Sequence, residues 1–254
     1  MNRRGAASAS AARAILLEQL DAVIFDLDGV VTDTASIHEA AWKETFDAFL
    51  GEAADGRQKP FTQDDYRRFV DGKARIDGAL SFLRSRGVDL PRGGSGDPPG
   101  WATVWGIANR KNERFLALLG ERGGLPYPTT VALLEQLRAR GMKTAIISAS
   151  RNCERILRAA GIRELFDAKV DGVDAAELGL PGKPDPAVFL EAARRLGVEP
   201  ARAAVVEDAI AGVQAGRDGR FGIVIGVDRA GYADALRDAG ADVVVKDLGE
   251  MELA

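Results

Sequence analysis

The stretch Ala22-Val23-Ile24-Phe25-Asp26-Leu27-Asp28-Gly29-Val30-Val31-Thr32-Asp33-Thr34 decides how the rest of the chain reads. Residues 22–25 are apolar without alternation, which predicts a strand buried on both faces. Two carboxylates one residue apart follow directly, then a glycine and a cluster of hydroxyl and carboxyl side chains. Open parallel sheets bind their ligands beyond the C-terminal ends of their strands. This reading places Asp26 and Asp28 at such an end, as a candidate reaction centre.

From Pro128 onward the pattern alternates. Helices are predicted at 129–140, 152–160, 186–196, 209–217 and 231–239, and strands at 143–148, 168–170, 203–208, 223–227 and 242–245. Such alternation predicts a parallel sheet covered on both faces, which strand 22–25 joins most simply. Residues 36–122 carry helical periodicity and no convincing strand. A helix over 36–50 has Ser36 and Glu39 at capping-box spacing. Trp42, Phe46, Phe49 and Leu50 form its apolar face, which His38 extends. Helices over 62–71, 75–86 and 102–120 follow, with an irregular Gly/Pro-rich loop at 87–100. The expected fold class is α/β, a Rossmann-like parallel-sheet core with an inserted helical cap. Its parts are an N-terminal extension at 1–20 (a disordered tail to 10, then a short helix), a core at 21–35 and 123–254, and a cap at 36–122.

The 254 residues suffice for one large domain, or for a medium one with a smaller companion. With 34 basic and 38 acidic side chains the net charge is -4, which gives no electrostatic case for nucleic acid or an anionic membrane. Cys153 is the only cysteine, which excludes a disulfide framework and a cysteine-rich metal site. No apolar run reaches membrane-spanning length. Glu18, Gln19 and Asp21 interrupt what would be the apolar core of a signal peptide. A cytoplasmic location is the default expectation.

Three predicted strands end in functional groups: Asp26 and Asp28, Ser148, and Glu207-Asp208. Acids after strands also serve as helix N-caps or solvated loop residues, and a single pair would read that way. Two pairs, each at a strand end and directly before a helix, point instead to a shared site. Carboxylates crowded together raise one another's pKa unless a cation sits among them. A hard divalent ion resolves the repulsion, and Mg²⁺ is the usual one where phosphate is the substrate.

Phe25-Asp26-Leu27-Asp28-Gly29-Val30 resembles the signature of the haloacid dehalogenase superfamily of phosphotransferases. The later pieces match in order: Ser148, Lys183 in Gly182-Lys183-Pro184-Asp185-Pro186, and Glu207-Asp208 in Val206-Glu207-Asp208-Ala209. The resemblance implies that Asp26 is a nucleophile forming an aspartyl phosphate and that Asp28 is the general acid/base. It implies Mg²⁺ held by Asp26, the main-chain carbonyl of Asp28 and Asp208, with Glu207 acting directly or through water. It implies Ser148 and Lys183 on the transferring phosphoryl group.

Thr32-Asp33-Thr34-Ala35-Ser36-Ile37-His38-Glu39-Ala40-Ala41-Trp42 resembles the β-phosphoglucomutase-like subfamily more closely. That implies roles for Thr34 and His38 in positioning Asp28 and coupling it to cap closure, with Trp42 near the substrate. His38 also reads as a buried histidine on an apolar face, and Trp42 as packing. Gly72-Lys73-Ala74-Arg75 resembles a loop whose arginine grips a distal phosphate; Arg75 reads equally well as a solvated helix charge. Asn109-Arg110-Lys111-Asn112 resembles a cap segment that contacts the sugar, here through Lys111. Ser148-Ala149-Ser150-Arg151-Asn152 resembles a phosphate loop, with Ala149 and Asn152 as contacts. The segments 87–101 and 171–182 are longer than the resemblance implies. The activity it implies is Mg²⁺-dependent conversion of β-glucose 1-phosphate to glucose 6-phosphate through glucose 1,6-bisphosphate. A sugar-phosphate phosphatase is the rival enzyme, and a non-catalytic phosphosugar-binding protein the third reading. The expected partners are the sugar phosphate and the bisphosphate intermediate, and a monomer is expected.

Overall fold

The computed structural model describes residues 14–15, 19–52 and 58–253. In chain order the strands are β1 (Ala14–Ile15), β2 (Ala22–Asp26), β3 (Lys143–Ile147), β4 (Ala168–Val170), β5 (Ala203–Glu207), β6 (Ile223–Val227), β7 (Val243–Val245) and β8 (Glu252–Leu253). The α-helices are α1 (Ala35–Glu52), α2 (Gln63–Asp65), α3 (Arg75–Ser85), α4 (Val104–Arg122), α5 (Pro128–Ala139), α6 (Cys153–Ala159), α7 (Gly172–Leu178), α8 (Ala187–Leu196), α9 (Ile210–Asp218) and α10 (Ala233–Ala239). The chain divides after Thr32 and after Leu125 into two compact units.

The first unit is built on six parallel strands in the order β4-β3-β2-β5-β6-β7. Ala22 and Ile24 pack in one apolar cluster with Phe189 of α8, Val213 of α9 and Leu236 of α10. Val23 and Phe25 are fully buried as well, and Phe25 meets Phe166 edge-on at 6.4 Å. Burial on both faces is why 22–25 shows no polar alternation. From β2 the chain moves outward through β3 to β4, and from β5, on the other side of β2, through β6 to β7. Winding away in opposite directions opens a crevice at the C-terminal ends of β2 and β5. The register pairs Asp26 with Ile147 and Phe25 with Val206, so Glu207 ends its strand level with Asp26 and Ser148 follows one residue beyond the end of β3.

The second unit, Asp33–Leu125, is helical; it holds residues 36–122, read as the cap, and a few residues on either side. Its core is aromatic. Phe46 stacks on Trp42 with centroids 4.8 Å apart and packs on Phe82 at 4.2 Å, while Phe61 meets Phe82 edge-on at 4.9 Å. Such pairs contribute about 0.5–1.5 kcal/mol each beyond the area they bury. The helix read over 62–71 is one α turn, N-capped by Thr62, that widens into a π-helical turn at Tyr66–Val70. The Gly/Pro-rich loop is tied to the start of α4. Thr103 donates to Asp97 Oδ2 at 2.6 Å, and the Asn109 amide donates to the carbonyls of Asp97 at 2.8 Å and Ser95 at 3.2 Å.

Three sequence expectations are corrected. The helix expected over 11–20 is not formed at Ala14–Ile15, which pair as a parallel strand with Glu252–Leu253. A short apolar run carries no period that separates helix from strand. The tail at 1–10 lies outside the described residues. The capping box at Ser36 and Glu39 is not formed either: α1 begins at Ala35, so Ser36 is already inside the helix, its Oγ 3.5 Å from Asp33 Oδ1. The segment 171–182 contains a helix, α7, that the sequence reading missed. Asp171 and Asp174 make its capping box, and Gly179, in the left-handed region, ends it.

Candidate active site

Asp26 lies at the end of β2 and is nearly buried, at 5% exposure. Its Oδ1 is 2.5 Å from Lys183 Nζ, and its Oδ2 accepts the main-chain N–H of Asp28 at 2.9 Å. The second bond curls the backbone tightly past the strand end. It holds Asp28 beside Asp26, as two residues in an extended strand could not be held. Ser148, one residue past β3, donates to Asp28 Oδ2 at 3.2 Å and accepts the N–H of Ser150 at 3.0 Å. Asn152 sits at the start of α6, its N–H on Ser150 Oγ at 3.1 Å. The loop 148–152 is thus a chain of hydroxyl-to-backbone turns that starts at Asp28. Ala149 contributes main chain, and its carbonyl lies 2.7 Å from where a side chain on Gly172 would begin.

Lys183 is buried between two carboxylates, Asp26 and Glu207. Burial works against its charge, but Asp26 and Glu207 outweigh that and hold its pKa above the usual lysine value. Glu207 is fully buried. One of its oxygens takes Lys183 and the other accepts the N–H of Ala209 at 2.7 Å. Gly212 leaves room for it, since a Cβ there would fall 1.8 Å from Glu207 Oε1. Glu207 thus holds Lys183 and the first turn of α9.

Among the described residues no three His, Cys, Asp or Glu side chains are gathered to hold a metal ion. The set read from the sequence does not need three. In that set Asp26 and Asp208 would supply carboxylates and Asp28 a main-chain carbonyl, all hard oxygen donors of the kind Mg²⁺ takes. Gly29 carries a mark of that arrangement. It has φ +85°, and a Cβ there would fall 1.8 Å from Asp208 Oδ2. Only glycine lets the Asp208 carboxylate lie against the Asp28–Gly29 turn, so the residues present fit Mg²⁺.

The remaining candidates belong to the helical unit. Thr34 is fully buried just before α1, and its carbonyl accepts the N–H of His38 at 2.9 Å. His38 stacks on Phe115 at 4.0 Å. Lys111, at 3% exposure, brings Nζ to 2.5 Å from His38 Nδ1, and lies over the rings of Trp42 at 5.1 Å and Phe115 at 4.9 Å. An ammonium only donates, so Nδ1 is the acceptor. His38, Trp42 and Lys111 therefore form one group with Phe115, and Thr34 lies one helical turn before His38. Arg75 begins α3, with its guanidinium 5.8 Å from the centre of the Trp105 ring. Asn109 and Arg110 do not join them. Asn109 is bound to the 95–97 loop, and Arg110 lies over Trp101 at 4.3 Å, because one helical step turns them away from the Lys111 face.

The sequence reading missed two further residues. Tyr232 donates to the main-chain carbonyl of Asp208 at 2.7 Å, and Arg229 Nε donates to that of Gly29 at 3.3 Å. Both lie in the loop that follows β6. The one signal available was that this loop, too, leaves the C-terminal edge of the sheet.

Residues 20–220 match the haloacid dehalogenase-like hydrolase family. The chain is 45% identical over 243 residues, 93% of each sequence, to a protein of Mycobacterium tuberculosis (strain CDC 1551 / Oshkosh) named beta-phosphoglucomutase. The crystal structure of beta-phosphoglucomutase from Clostridium difficile matches with a TM-score of 0.72 at 25% identity, over 92% of this chain and 93% of that one. A mutant CbbY from Rhodobacter sphaeroides, in complex with xylulose-(1,5)bisphosphate, matches with a TM-score of 0.66 at 26% identity, over 92% and 100%. An aspartate pair at the switch point of a parallel sheet, a buried lysine beside it and these likenesses agree: the chain is an enzyme that belongs to the haloacid dehalogenase-like hydrolase family.

Proposed function

We propose that this enzyme is a Mg²⁺-dependent β-phosphoglucomutase, converting β-glucose 1-phosphate to glucose 6-phosphate through glucose 1,6-bisphosphate. One observation carries the chemistry: Asp26 is ion-paired to a buried lysine while Asp28, one residue on, is held by Ser148. The identity to a protein named beta-phosphoglucomutase supports the substrate, and the bisphosphate bound by CbbY supports the class of intermediate.

In this reading an Asp26 oxygen attacks phosphorus, the bond to the leaving sugar oxygen breaks, and the Asp28 carboxyl delivers its proton to that oxygen. In the second half Asp28 takes the proton of the attacking sugar hydroxyl, and Asp26 leaves as a carboxylate. Lys183 and Ser148 orient the phosphoryl group, with the Ala149 main chain and Asn152. Mg²⁺, held by Asp26, Asp208 and the Asp28 carbonyl, supplies charge that offsets the phosphate's repulsion of the nucleophile. The helical unit contributes Arg75 for the second phosphate, Lys111 and Trp42 for the sugar, and Thr34 and His38 for setting Asp28. Among the described residues no helix is long and apolar enough to cross a membrane. A cytoplasmic monomer is part of the same proposal.

The family's description as hydrolases favours a second reading, a sugar-phosphate phosphatase with the same Asp26 chemistry and water as acceptor. One assay separates them. The protein is incubated with Mg²⁺, β-glucose 1-phosphate and a trace of glucose 1,6-bisphosphate, and glucose 6-phosphate and free phosphate are both measured. Glucose 6-phosphate in excess is expected; mainly free phosphate would leave only the phosphatase.

A further inference from the structure

The loop that follows β6 reaches back to the acidic strand ends at two points. Tyr232 Oη donates to the carbonyl of Asp208 at 2.7 Å, and Arg229 Nε donates to the carbonyl of Gly29 at 3.3 Å. These two carbonyls flank a single close contact, because the Asp208 carboxylate lies where a Gly29 side chain would be. The loop therefore bridges the two sides of the place where Asp208 meets the Asp28–Gly29 turn.

The loop is itself fixed. Asp228, at 9% exposure, accepts the N–H groups of Gly231 at 2.7 Å and Tyr232 at 2.8 Å. Its own N–H is held by the Val245 carbonyl at 2.7 Å. Gly231 has φ +80° and makes the turn between them. The Arg229 guanidinium lies 3.9 Å over the Tyr127 ring, and Nη1 donates to Asp247 Oδ2 at 2.9 Å. Asp247 also takes the hydroxyl of Thr129 at 3.0 Å, and the next residue, Thr130, donates to the carbonyl of Val30 at 2.9 Å. The turn after Asp28 is thus gripped from β6 and from α5 at once.

We propose that Tyr232 and Arg229 are positioning residues for the metal end of the site, setting the separation between the Asp208 carboxylate and the Asp28–Gly29 turn by holding the main-chain carbonyl of each. The inference rests on the reading of Asp26, Asp28 and Asp208 as a Mg²⁺ site. Each acts through a main-chain carbonyl. Their effect is on how far Asp208 is pre-placed before a cation arrives, and groups that orient ligands in this way commonly change metal affinity about 10-fold or more when removed.

The test is calorimetric titration of the full-length protein with MgCl₂, without substrate, for the wild type, Tyr232→Phe, Arg229→Gln and Asp208→Ala. Tyr232→Phe keeps the ring and removes one hydrogen bond, and far-UV circular dichroism reports its folding. The expected result is a Kd for Mg²⁺ raised about 3- to 10-fold in Tyr232→Phe and Arg229→Gln, and binding lost in Asp208→Ala. In turnover, the Mg²⁺ concentration for half-maximal rate rises by the same factor, saturating Mg²⁺ restores kcat, and KM for the sugar phosphate is unchanged. Wild-type Mg²⁺ affinity in both folded loop variants, with binding lost in Asp208→Ala, overturns the positioning role and leaves the metal site standing. Wild-type affinity in Asp208→Ala overturns the metal reading itself. A lowered melting temperature with unchanged Kd assigns the loop to the fold alone and also overturns the proposal.

Discussion

Lys183 Nζ lies 2.5 Å from Asp26 Oδ1 inside the protein, with 3% and 7% of the two side chains exposed. On its other side the ammonium meets Glu207, which is fully buried. The lysine is thus held between two buried carboxyl groups, and its removal leaves them facing each other. Burial pushes the Asp26 carboxyl well above the usual carboxylate value, Lys183 pulls it the other way, and the same lysine fixes where Asp26 points.

Removing the lysine alone should therefore be worse than removing it with one of its partners. Lys183→Met leaves two buried carboxylates facing each other and is expected to cost about 3–5 kcal/mol of stability. Lys183→Met with Glu207→Gln should recover about half of that cost, while phosphoryl transfer stays at least about 100-fold down in both. Urea unfolding of the two variants, with turnover measured alongside, checks the cycle. Equal stability of the single and double variants would show that Glu207 is not coupled to Lys183.

Arg75 provides the test within the helical unit. Its guanidinium faces the Trp105 ring at 5.8 Å, and the main-chain N–H of Trp105 donates to the Arg92 carbonyl at 3.2 Å. Arg75→Ala is expected to raise the glucose 1,6-bisphosphate concentration needed for half-maximal mutase rate at least about 10-fold. Trp105→Leu should give a smaller rise, about 2- to 4-fold, by loosening the arginine. Steady-state rates against bisphosphate concentration check both, and an unchanged dependence in Arg75→Ala would remove that residue from phosphate binding.

Asp174 gives a pH dependence with a definite sign. Burial raises its pKa, but bonds from Lys169, the Asp171 N–H and Arg195 more than offset this and hold it well below the usual carboxylate value. A depressed folded-state pKa contributes stability that is present above the unfolded value, about 4, and is lost as pH falls through the folded value. Asp174→Asn is expected to cost about 1–2 kcal/mol at pH 7, and the difference from wild type should shrink steadily below about pH 4. Urea unfolding at several pH values measures it. A difference that stays constant from pH 7 to pH 3 would contradict the ion-paired arrangement.

Much of this was legible in the sequence, for identifiable reasons. β2 announces itself because burial on both faces demands an unbroken apolar run, and the edge it feeds is marked because carboxylates there follow such runs twice, at Asp26 and at Glu207. α7 escaped because none of its residues is buried. A seven-residue helix that only half-buries Ala175 against the core shows no apolar period, although the Asp171-to-Asp174 cap and Gly179 were there to be read. β1 and β8 escaped because a two-residue pairing has no pattern. The turning of Glu207 toward Lys183 depends on a contact between residues 24 positions apart, and the reach of Tyr232 to Asp208 likewise spans 24. Neither leaves a local trace in composition or spacing.

Cys153 is the first residue of α6, directly after the 148–152 loop, and is fully buried. Burial pushes its thiol well above the ordinary value, and the negative charges of Asp171, Asp28 and Asp26 push in the same direction, against a weaker opposing pull from Lys169. The thiolate is the reactive form, so at any pH near neutrality the native protein should hold far less of it than the unfolded chain. Alkylation by iodoacetamide at pH 8.5 is expected to be at least about 100-fold slower in the native protein than in 6 M guanidinium chloride. The pH profiles should differ as well. In the unfolded chain the rate levels off above about pH 8.5–9, where a free cysteine is ionised; in the native protein it should still be climbing there. Because this is the only cysteine in the chain, mass spectrometry of the intact protein reads the modification directly. Native and unfolded rates that coincide would place the thiol at the surface and contradict its burial at the start of α6.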